Sequence, residues 1–452
     1  PATEGHTRAL VDGDHNNIAA RAGFAYQALP KLVIRGGYGA FYGFRDRNTE
    51  TTQFAMNPPN RAQYAAPIVT ARTVSPPMTI NSPLPATLGD YLLKTFTAAN
   101  PMQSNFRFTT FDKADMPVGH QANITFQYEP APNWLLAASF SENLGKDLTG
   151  GWANRNSLPF EAALAARNKQ ADRPFPHING WTIESGSDSS SNYSAASFKL
   201  EKRFSSGLSF LANYTIAKHI ENKGYGICNY SHQATSIMLD AYNPQREKMV
   251  SPLDVPQVLI VSYVYELPWG VAQPWLNSGP LARVLGNWQV NGITTMRGGF
   301  PADVLTNVQP PIFSNFNVVD RVSGVDMYLH RGVDGYLNPA AFRVPGTMPD
   351  INGNRVQMYG NSSRAVVRGP GSVNTDLSVF KEVVFNERVR AQLRFEFFNL
   401  TNTPTFSLGA PTGGSLSCRG SSGGPCTNAD FGTMASGSAT GRQIQFGAKV
   451  IF

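Results

Sequence analysis

The sequence predicts an all-β fold: an antiparallel transmembrane β-barrel with short periplasmic turns and long extracellular loops. Three observations predict it. Apolar and polar residues alternate along eleven segments from one end of the 452-residue chain to the other, and period two is the strand signature. Each segment is about nine to twelve residues long, the length a tilted strand needs to cross a bilayer. Short turns alternate with very long connections, as they do in barrels whose turns lie on one side of a membrane and loops on the other.

The segments follow in order. "ARAGFAYQ" (20–27) and "KLVIRGGYGAF" (31–41) are separated by "ALP". "VGHQANITFQYE" (118–129) and "WLLAASFSE" (134–142) are separated by "PAPN". "SAASFKLEKRF" (194–204) and "LSFLANYTIAK" (208–218) are separated by "SSG". "QVLIVSYVYEL" (257–267) and "NWQVNGITTMR" (287–297) flank a longer proline-bearing connection. "VNTDLSVFKE" (373–382) and "VRAQLRFEFFNL" (389–400) flank "VVFNER". The eleventh segment, 442–452, ends the sequence. Between these pairs lie the stretches 42–117, 143–193, 219–256, 298–372 and 401–441, rich in Pro, Gly, Asn and Ser. Their lack of periodicity predicts five structureless loops, with "FPADVLTNV" (300–308) as the best candidate for a further strand. If the C-terminus lies in the periplasm, every short turn falls inside and every long loop outside.

The strand faces carry a second prediction. In 389–400, Val389, Ala391, Leu393, Phe395 and Phe397 oppose Arg390, Gln392, Arg394 and Glu396. In 118–129, Val118, His120, Ala122, Ile124, Phe126 and Tyr128 oppose Gln121, Asn123, Thr125, Gln127 and Glu129. A lipid-facing apolar row and a lumen-facing polar row fit a barrel with a wet interior. Alternation alone equally fits a soluble sandwich whose apolar faces pack together. The aromatics favour the barrel, because Tyr26, Tyr128, Trp134, Trp269 and Trp288 sit near strand ends beside the short turns, where an interfacial girdle lies. The polar residues expected in the lumen are Arg35; Gln121, Asn123 and Gln127; Asn213; Asn291; Arg390, Gln392, Arg394 and Glu396; and Gln443, Gln445 and Lys449.

Composition excludes several alternatives. Hydrophobic residues make up 41 % and charged residues only 15 %, below the usual quarter. No run of about 18 apolar residues exists, so the sequence offers no transmembrane helix. The start, "PATEGHTRAL", lacks the basic and apolar regions of a signal peptide. The net charge of +7 comes from scattered Lys and Arg, never a basic block, and no helix-turn-helix or RNA-binding aromatic motif is present; a nucleic-acid partner is not expected.

Three cysteines are too few for a disulfide scaffold. Cys418 and Cys426 bracket a Gly/Ser-rich stretch, "CRGSSGGPC", suited to an exposed disulfide in an oxidising compartment. Cys228 is left over. Catalytic motifs are missing: there is no Walker A, GxSxG, HExxH or CxxC, and the glycines of "RGGYGAFYG" miss dinucleotide spacing. "DGDHNN" (12–17) resembles the start of a calcium loop, but Gly23 stands where the bidentate Glu would be. His219, Cys228 and His232 share one connection, and no metal site is assigned to them. Asp376 and the Arg368–Gly369–Pro370–Gly371 stretch read as structural. No enzyme, metal or cofactor is expected.

The terminal alternation of Ile444, Phe446, Ala448, Val450 and Phe452 predicts a strand complete to its last residue, as a closing strand paired to a first strand must be. This pattern also resembles the signal read by bacterial barrel-assembly machinery. Together, "NNIAARAGFAYQ", "VIRGGYGAFYG", "VSYVYELPWG", "GNWQVNGITTMRGGFP", "RGPGSVNTDLSVFKE" and "LRFEFFNLTNTPTF" resemble the C-terminal barrel of TonB-dependent receptors. The closest branch is the Oar-like group, whose members carry a carboxypeptidase-regulatory-like N-terminal domain. The resemblance runs from about residue 14 to the end, excluding the long loops.

This resemblance implies a 22-stranded barrel in a Gram-negative outer membrane, an N-terminal plug within it, and a TonB box drawing energy from the inner membrane. Eleven strands are half that number, so residues 1–452 are expected to be the C-terminal part of such a barrel, with plug and N-terminal domain outside them. The implied function is import of a nutrient too scarce or large for porins, of siderophore, carbohydrate or peptide class. The implied partners are outer-membrane lipid, the TonB complex through a missing N-terminal segment, the barrel-assembly machinery and an unidentified extracellular ligand. A second function remains open: a structural or adhesive barrel that binds partners through its loops.

Overall fold

The computed structural model describes residues 14–43, 97–102, 106–109, 115–180, 182–222, 238–270, 273–313, 316–332, 335–385, 389–408, 416–435 and 441–452. Eleven strands form one antiparallel wall in chain order. They are β1 (Arg21–Leu29), β2 (Leu32–Tyr42), β3 (Val118–Tyr128), β4 (Trp134–Asn154), β5 (Thr182–Ser205) and β6 (Leu208–Glu221). The wall continues through β7 (Gln257–Glu266), β8 (Trp288–Arg297), β9 (Ser372–Val384), β10 (Arg390–Phe398) and β11 (Gln443–Ile451). Two short additions pair with it: Phe106–Thr109 runs parallel to the start of β5, and Met249–Val250 pairs with the end of β6.

All eleven periodic segments are strands because β-branched and aromatic residues suit a pleated surface and turn residues separate them. The β5–β6 turn shows how local chemistry fixes register. Ser206 and Gly207 both have positive φ, +50° and +76°, the two-residue geometry whose twist matches the flanking strands.

One expectation is corrected here. The 143–193 stretch is not a loop, because β4 and β5 continue to Asn154 and back to Thr182, far beyond a bilayer. Their register shifts repeatedly between Gly145 and Ala153. Irregular pairing through Gly- and Ser-rich sequence keeps the backbone bonded while erasing the side-chain period. Among the described residues β1 and β11 are the two ends of the sheet path. Eleven is odd, so these strands run in the same direction and cannot pair antiparallel.

The register settles which residues share a face, since directly paired residues point the same way. From β11 leftward, Phe446 pairs Phe395, which pairs Val379; Val379 pairs Val290, and Val290 pairs Tyr265. Further along, Tyr214, Phe198 and Ala138 form one row, followed by Phe126, Ile34 and Tyr26. One apolar face therefore runs unbroken across all eleven strands. Gly36 belongs to this face, and the Phe24 ring lies where its Cβ would be, 2.4 Å away.

Where described, the connections 219–256, 298–372 and 401–441 are not structureless, while most of 42–117 lies outside the described residues. Residues from 155–180, 238–256, 298–371 and 399–435 pack into a cap with its own apolar interior. One cluster joins Val304, Val319, Leu337, Phe342, Val344, Val367, Leu416 and Phe431. A second joins Leu158, Ala163, Ile312 and Val356, and a third joins Leu239, Phe316 and Val318. The "FPADVLTNV" segment belongs here. Pro301–Ala302 pairs Val367–Arg368, and Leu305–Thr306 lies between Asn317–Val318 and Ser417–Cys418.

Candidate functional site

The opposite face of the wall is polar. All thirteen residues expected in the lumen lie on it. Arg35 pairs Thr125, and Asn123 and Gln127 occupy the same face of β3 with Gln121. Asn213 pairs Lys199, and Asn291 pairs Ser378. Glu396 pairs both Ser378 and Gln445, Gln392 pairs both Glu382 and Lys449, and Gln443 pairs Phe398. Arg394 shares the face, with its Nε donating to Gln392 Oε1 at 2.8 Å and its guanidinium 5.1 Å from the Phe380 ring centre. Arg390 reaches Glu382 at 3.3 Å.

Hydroxyl groups link strands on this surface. Thr125 Oγ1 donates to Ser139 Oγ at 3.0 Å, and Ser197 Oγ lies 2.9 Å from Thr215 Oγ1. Ser139 pairs Ser197, so Arg35, Thr125, Ser139, Ser197 and Thr215 form one polar row over five strands. Lys199 and Glu201, 2.6 Å apart, also face this way and escaped the sequence reading; counting by twos from Asn213's partner would have found them. Apolar residues such as Phe41, Leu211, Ile260, Ile293, Phe380 and Phe398 interrupt the polar face.

Beside the turns, the apolar face carries two lysines near strand ends. Beside the β5–β6 turn, Lys202 Nζ donates to Ser205 O at 2.6 Å and Leu208 O at 2.8 Å. Beside the β7–β8 connection, Lys381 donates to Gly286 O. Both side chains bend away from the middle of the face, as charged groups at a bilayer edge do. Of the apolar residues of the terminal strand, Ile444, Phe446, Ala448 and Val450 pair Phe397, Phe395, Leu393 and Ala391. Phe452 lies past the last pair and is fully exposed.

The cap is held by contacts that the sequence did not reveal. Arg364 is fully buried between two carboxylates from distant segments. Its Nη1 donates to Glu247 Oε2 at 2.8 Å, and its Nη2 to Asp303 Oδ2 at 3.1 Å. Glu247 Oε1 accepts the Leu239 amide at 2.6 Å, and Asp303 Oδ1 accepts the Ala365 amide at 2.5 Å. Burial pulls the Arg364 guanidinium down, but the Asp303 and Glu247 carboxylates outweigh it and hold the group above its ordinary value. Arg368 ties the cap to the wall. Its Nη2 meets Asp254 Oδ2 at 2.5 Å, and Asp254 Oδ1 accepts the amide of His219 in β6 at 2.6 Å.

Arg173 is also buried, but its donors go to Asn156 O, Asn179 O, Gly180 O and Gln170 Oε1. Burial lowers its pKa to about 10, which leaves it charged at neutral pH.

The structure joins Cys418 to Cys426 as a disulfide; Cys418 lies in the cap interior, while Gly423 and Gly424 turn the loop outside. Among the described residues, no group of three His, Cys, Asp or Glu side chains could hold a metal ion. His219 is on the polar face with its Nε2 2.8 Å from Ser191 Oγ, whereas Cys228 and His232 lie outside the described residues. Asp14 of "DGDHNN" accepts the Met116 amide at 2.8 Å, a structural role before β1 and β3. The expectation for Asp376 holds in the same way, since it accepts the Asn399 amide at 2.8 Å.

No helix among the described residues is long and apolar enough to cross a membrane. Among solved structures, the chain is similar to a Pseudomonas aeruginosa FpvA–pyoverdine complex, at 9 % identity and TM-score 0.42, covering 97 % of this chain and 33 % of that one. It is similar also to the siderophore receptor PiuA of Acinetobacter baumannii, at 10 % identity and TM-score 0.40, covering 96 % and 35 %. For the FrpB iron transporter of Neisseria meningitidis the values are 10 %, 0.38, 96 % and 39 %. The chain thus spans about a third of the length of these proteins. No curated protein matches it. The family model of the outer membrane beta barrel domain matches residues 1–445, and the chain belongs to that family.

Proposed function

We propose that this chain forms the C-terminal part of the barrel of a TonB-dependent receptor, of the Oar-like group, that imports a scarce or large nutrient across the outer membrane. The observation that carries this reading is the polar face, continuous over eleven strands and overlaid at its outer end by a packed cap. A wall this wide that closes with a matching half encloses a lumen large enough to hold a plug. In this reading the thirteen polar residues line that lumen, touching water or a plug supplied by sequence upstream of Pro1. That upstream segment contacts TonB. Ile444, Phe446, Ala448, Val450 and Phe452 are read by the barrel-assembly machinery, and the cap meets the extracellular ligand. No residue acts as a catalyst.

The test is growth of the producing bacterium on limiting siderophore-bound iron, carbohydrate or peptide, with the gene or TonB deleted. Loss of growth on the same nutrient in both strains supports energised import. A TonB deletion without effect, combined with loss of surface attachment in the gene deletion, would replace import by adhesion.

A further inference from the structure

The connection between β7 and β8 breaks the rule of its side of the wall. The other turns there span only a few residues, whereas this one runs from 267 to 287 and includes a short helix, Gly279–Leu285. Its sequence, "LPWGVAQPWLNSGPLARVLGN", contains one charged residue, Arg283. It is nonetheless compact. The Gly270 amide donates to Trp275 O at 3.0 Å, the Trp275 amide to Pro268 O at 3.0 Å, and the Asn287 amide to Trp269 O at 2.8 Å. Gly270 has φ +123°, and a Cβ on Gly286 would sit 2.2 Å from Gly270 Cα, so only two glycines allow this fold.

The compact loop turns the wrong residues outward for a surface in water. Its helix buries Ala282, yet leaves Leu281, Val284 and Leu285 at least half exposed, and Trp275 is 63 % exposed. Positions i, i+3 and i+4 make one stripe of a helix, and here that stripe faces away from the protein. The loop joins two central strands, so the exposure does not arise from a sheet edge.

Its location identifies what covers it. Lys381, on the apolar face, donates to Gly286 O and lies over the Trp288 ring, whose residue is on the same face. The loop therefore continues the apolar surface of the wall at the level of the turns. We propose that residues 273–287 form an interfacial anchor that inserts Trp275, Leu281, Val284 and Leu285 into the phospholipid headgroup and upper acyl region of the periplasmic leaflet. Short segments with an apolar stripe and aromatic residues bind in this way, buried about 5–10 Å below the headgroups. The anchor fixes the height of the central strands in the bilayer.

Nitroxide labels at Leu281→Cys, Val284→Cys and, as a control, Ser278→Cys, each with Cys228→Ser, test this in the intact protein in isolated outer membranes. Heat-modifiable migration in gels first establishes that each barrel has assembled, which separates failure of this inference from failure of the barrel. The labels at 281 and 284 should relax severalfold faster with oxygen than with a water-soluble nickel chelate, and the label at 278 should show the reverse. Labels at 281 and 284 open to the nickel chelate would overturn the anchor. So would shielding from both reagents, the signature of a plug or periplasmic protein seated on the loop. If neither cysteine variant assembles, loss of fluorescence quenching by brominated phospholipid in Trp275→Phe decides the same point: unchanged quenching rejects the anchor.

Discussion

Phe446 in the wall is 71 % exposed, while Phe342 in the cap is completely buried. Both are strand residues with aromatic neighbours: Phe446 packs edge-on to Phe395 at 5.7 Å, and Phe342 to Phe431 at 5.6 Å. The difference lies in what completes their burial. For Phe446 it is hydrocarbon, a uniform solvent that asks only that the face be apolar throughout. For Phe342 it is other parts of the chain, brought in from the connections 298–371 and 399–435. The cap also does what the apolar wall face avoids, burying three charges together, which is stable only because Arg364, Glu247 and Asp303 satisfy one another. A membrane-facing surface and an interior therefore place opposite demands on the sequence: one wants a repeating pattern, the other a specific assembly.

The largest test of this contrast is Phe395→Arg. A guanidinium near the middle of the apolar face costs about 2–4 kcal/mol in a barrel wall. The rings of Trp288 and Phe446, 6.2 and 5.7 Å from Phe395, each add about 0.5–1.5 kcal/mol lost. Assembly, read by heat-modifiable migration, should fall sharply; an unchanged folded band would show that this face does not meet lipid.

Arg364→Met should act on the cap alone. It strands two buried carboxylates, and breaking such a set by removing one partner costs about 3–5 kcal/mol. Protease should then cut within 238–256 or 298–371 while the wall keeps its heat-modifiable band. Equal loss of both would mean that wall and cap fold as one unit.

A smaller effect is expected from Cys418→Ser with Cys426→Ser. The disulfide closes a loop of sequence separation 8, so chain entropy gives at most about 2.5 kcal/mol. The loss should appear as faster proteolysis near 416–435, and mass mapping that finds both thiols free in the wild-type envelope protein would reject the bond itself.

Arg394→Gln, one residue from Phe395 but on the polar face, should shift stability by less than about 0.5 kcal/mol, the range of surface substitutions. Denaturant midpoints measured beside those of Phe395→Arg give the ratio between the two faces; similar losses would erase the distinction.

All eleven strands were legible because their signal is local. Leu393, Phe395 and Phe397 declare a face without reference to any partner. Where period two lapses, as in "LGKDLTGGW" of β4 and "SGSDSSSNYS" of β5, backbone pairing continued and the sequence showed nothing. Apolar residues on the polar face, such as Ile293 and Phe398, passed unnoticed because alternation is an average. The thirteen polar candidates fell together on one face because parity within each strand, once fixed by a single apolar neighbour, fixes the rest.

By itself the sequence determined the eleven wall strands found among the described residues, the division of each into two faces, the ends of the wall at which short turns and long connections lie, and the family resemblance. Hydrocarbon and water are the same everywhere along a face, so a repeat of two residues suffices to specify them. Tertiary structure alone decided the rest. It lengthened the β4–β5 hairpin, bonded Lys381 to the loop of 267–287, and gathered Val304, Val344 and Leu416 around Phe342. It also set Arg364 between carboxylates 117 and 61 residues away. Such contacts have no period, because each depends on where distant segments meet in space.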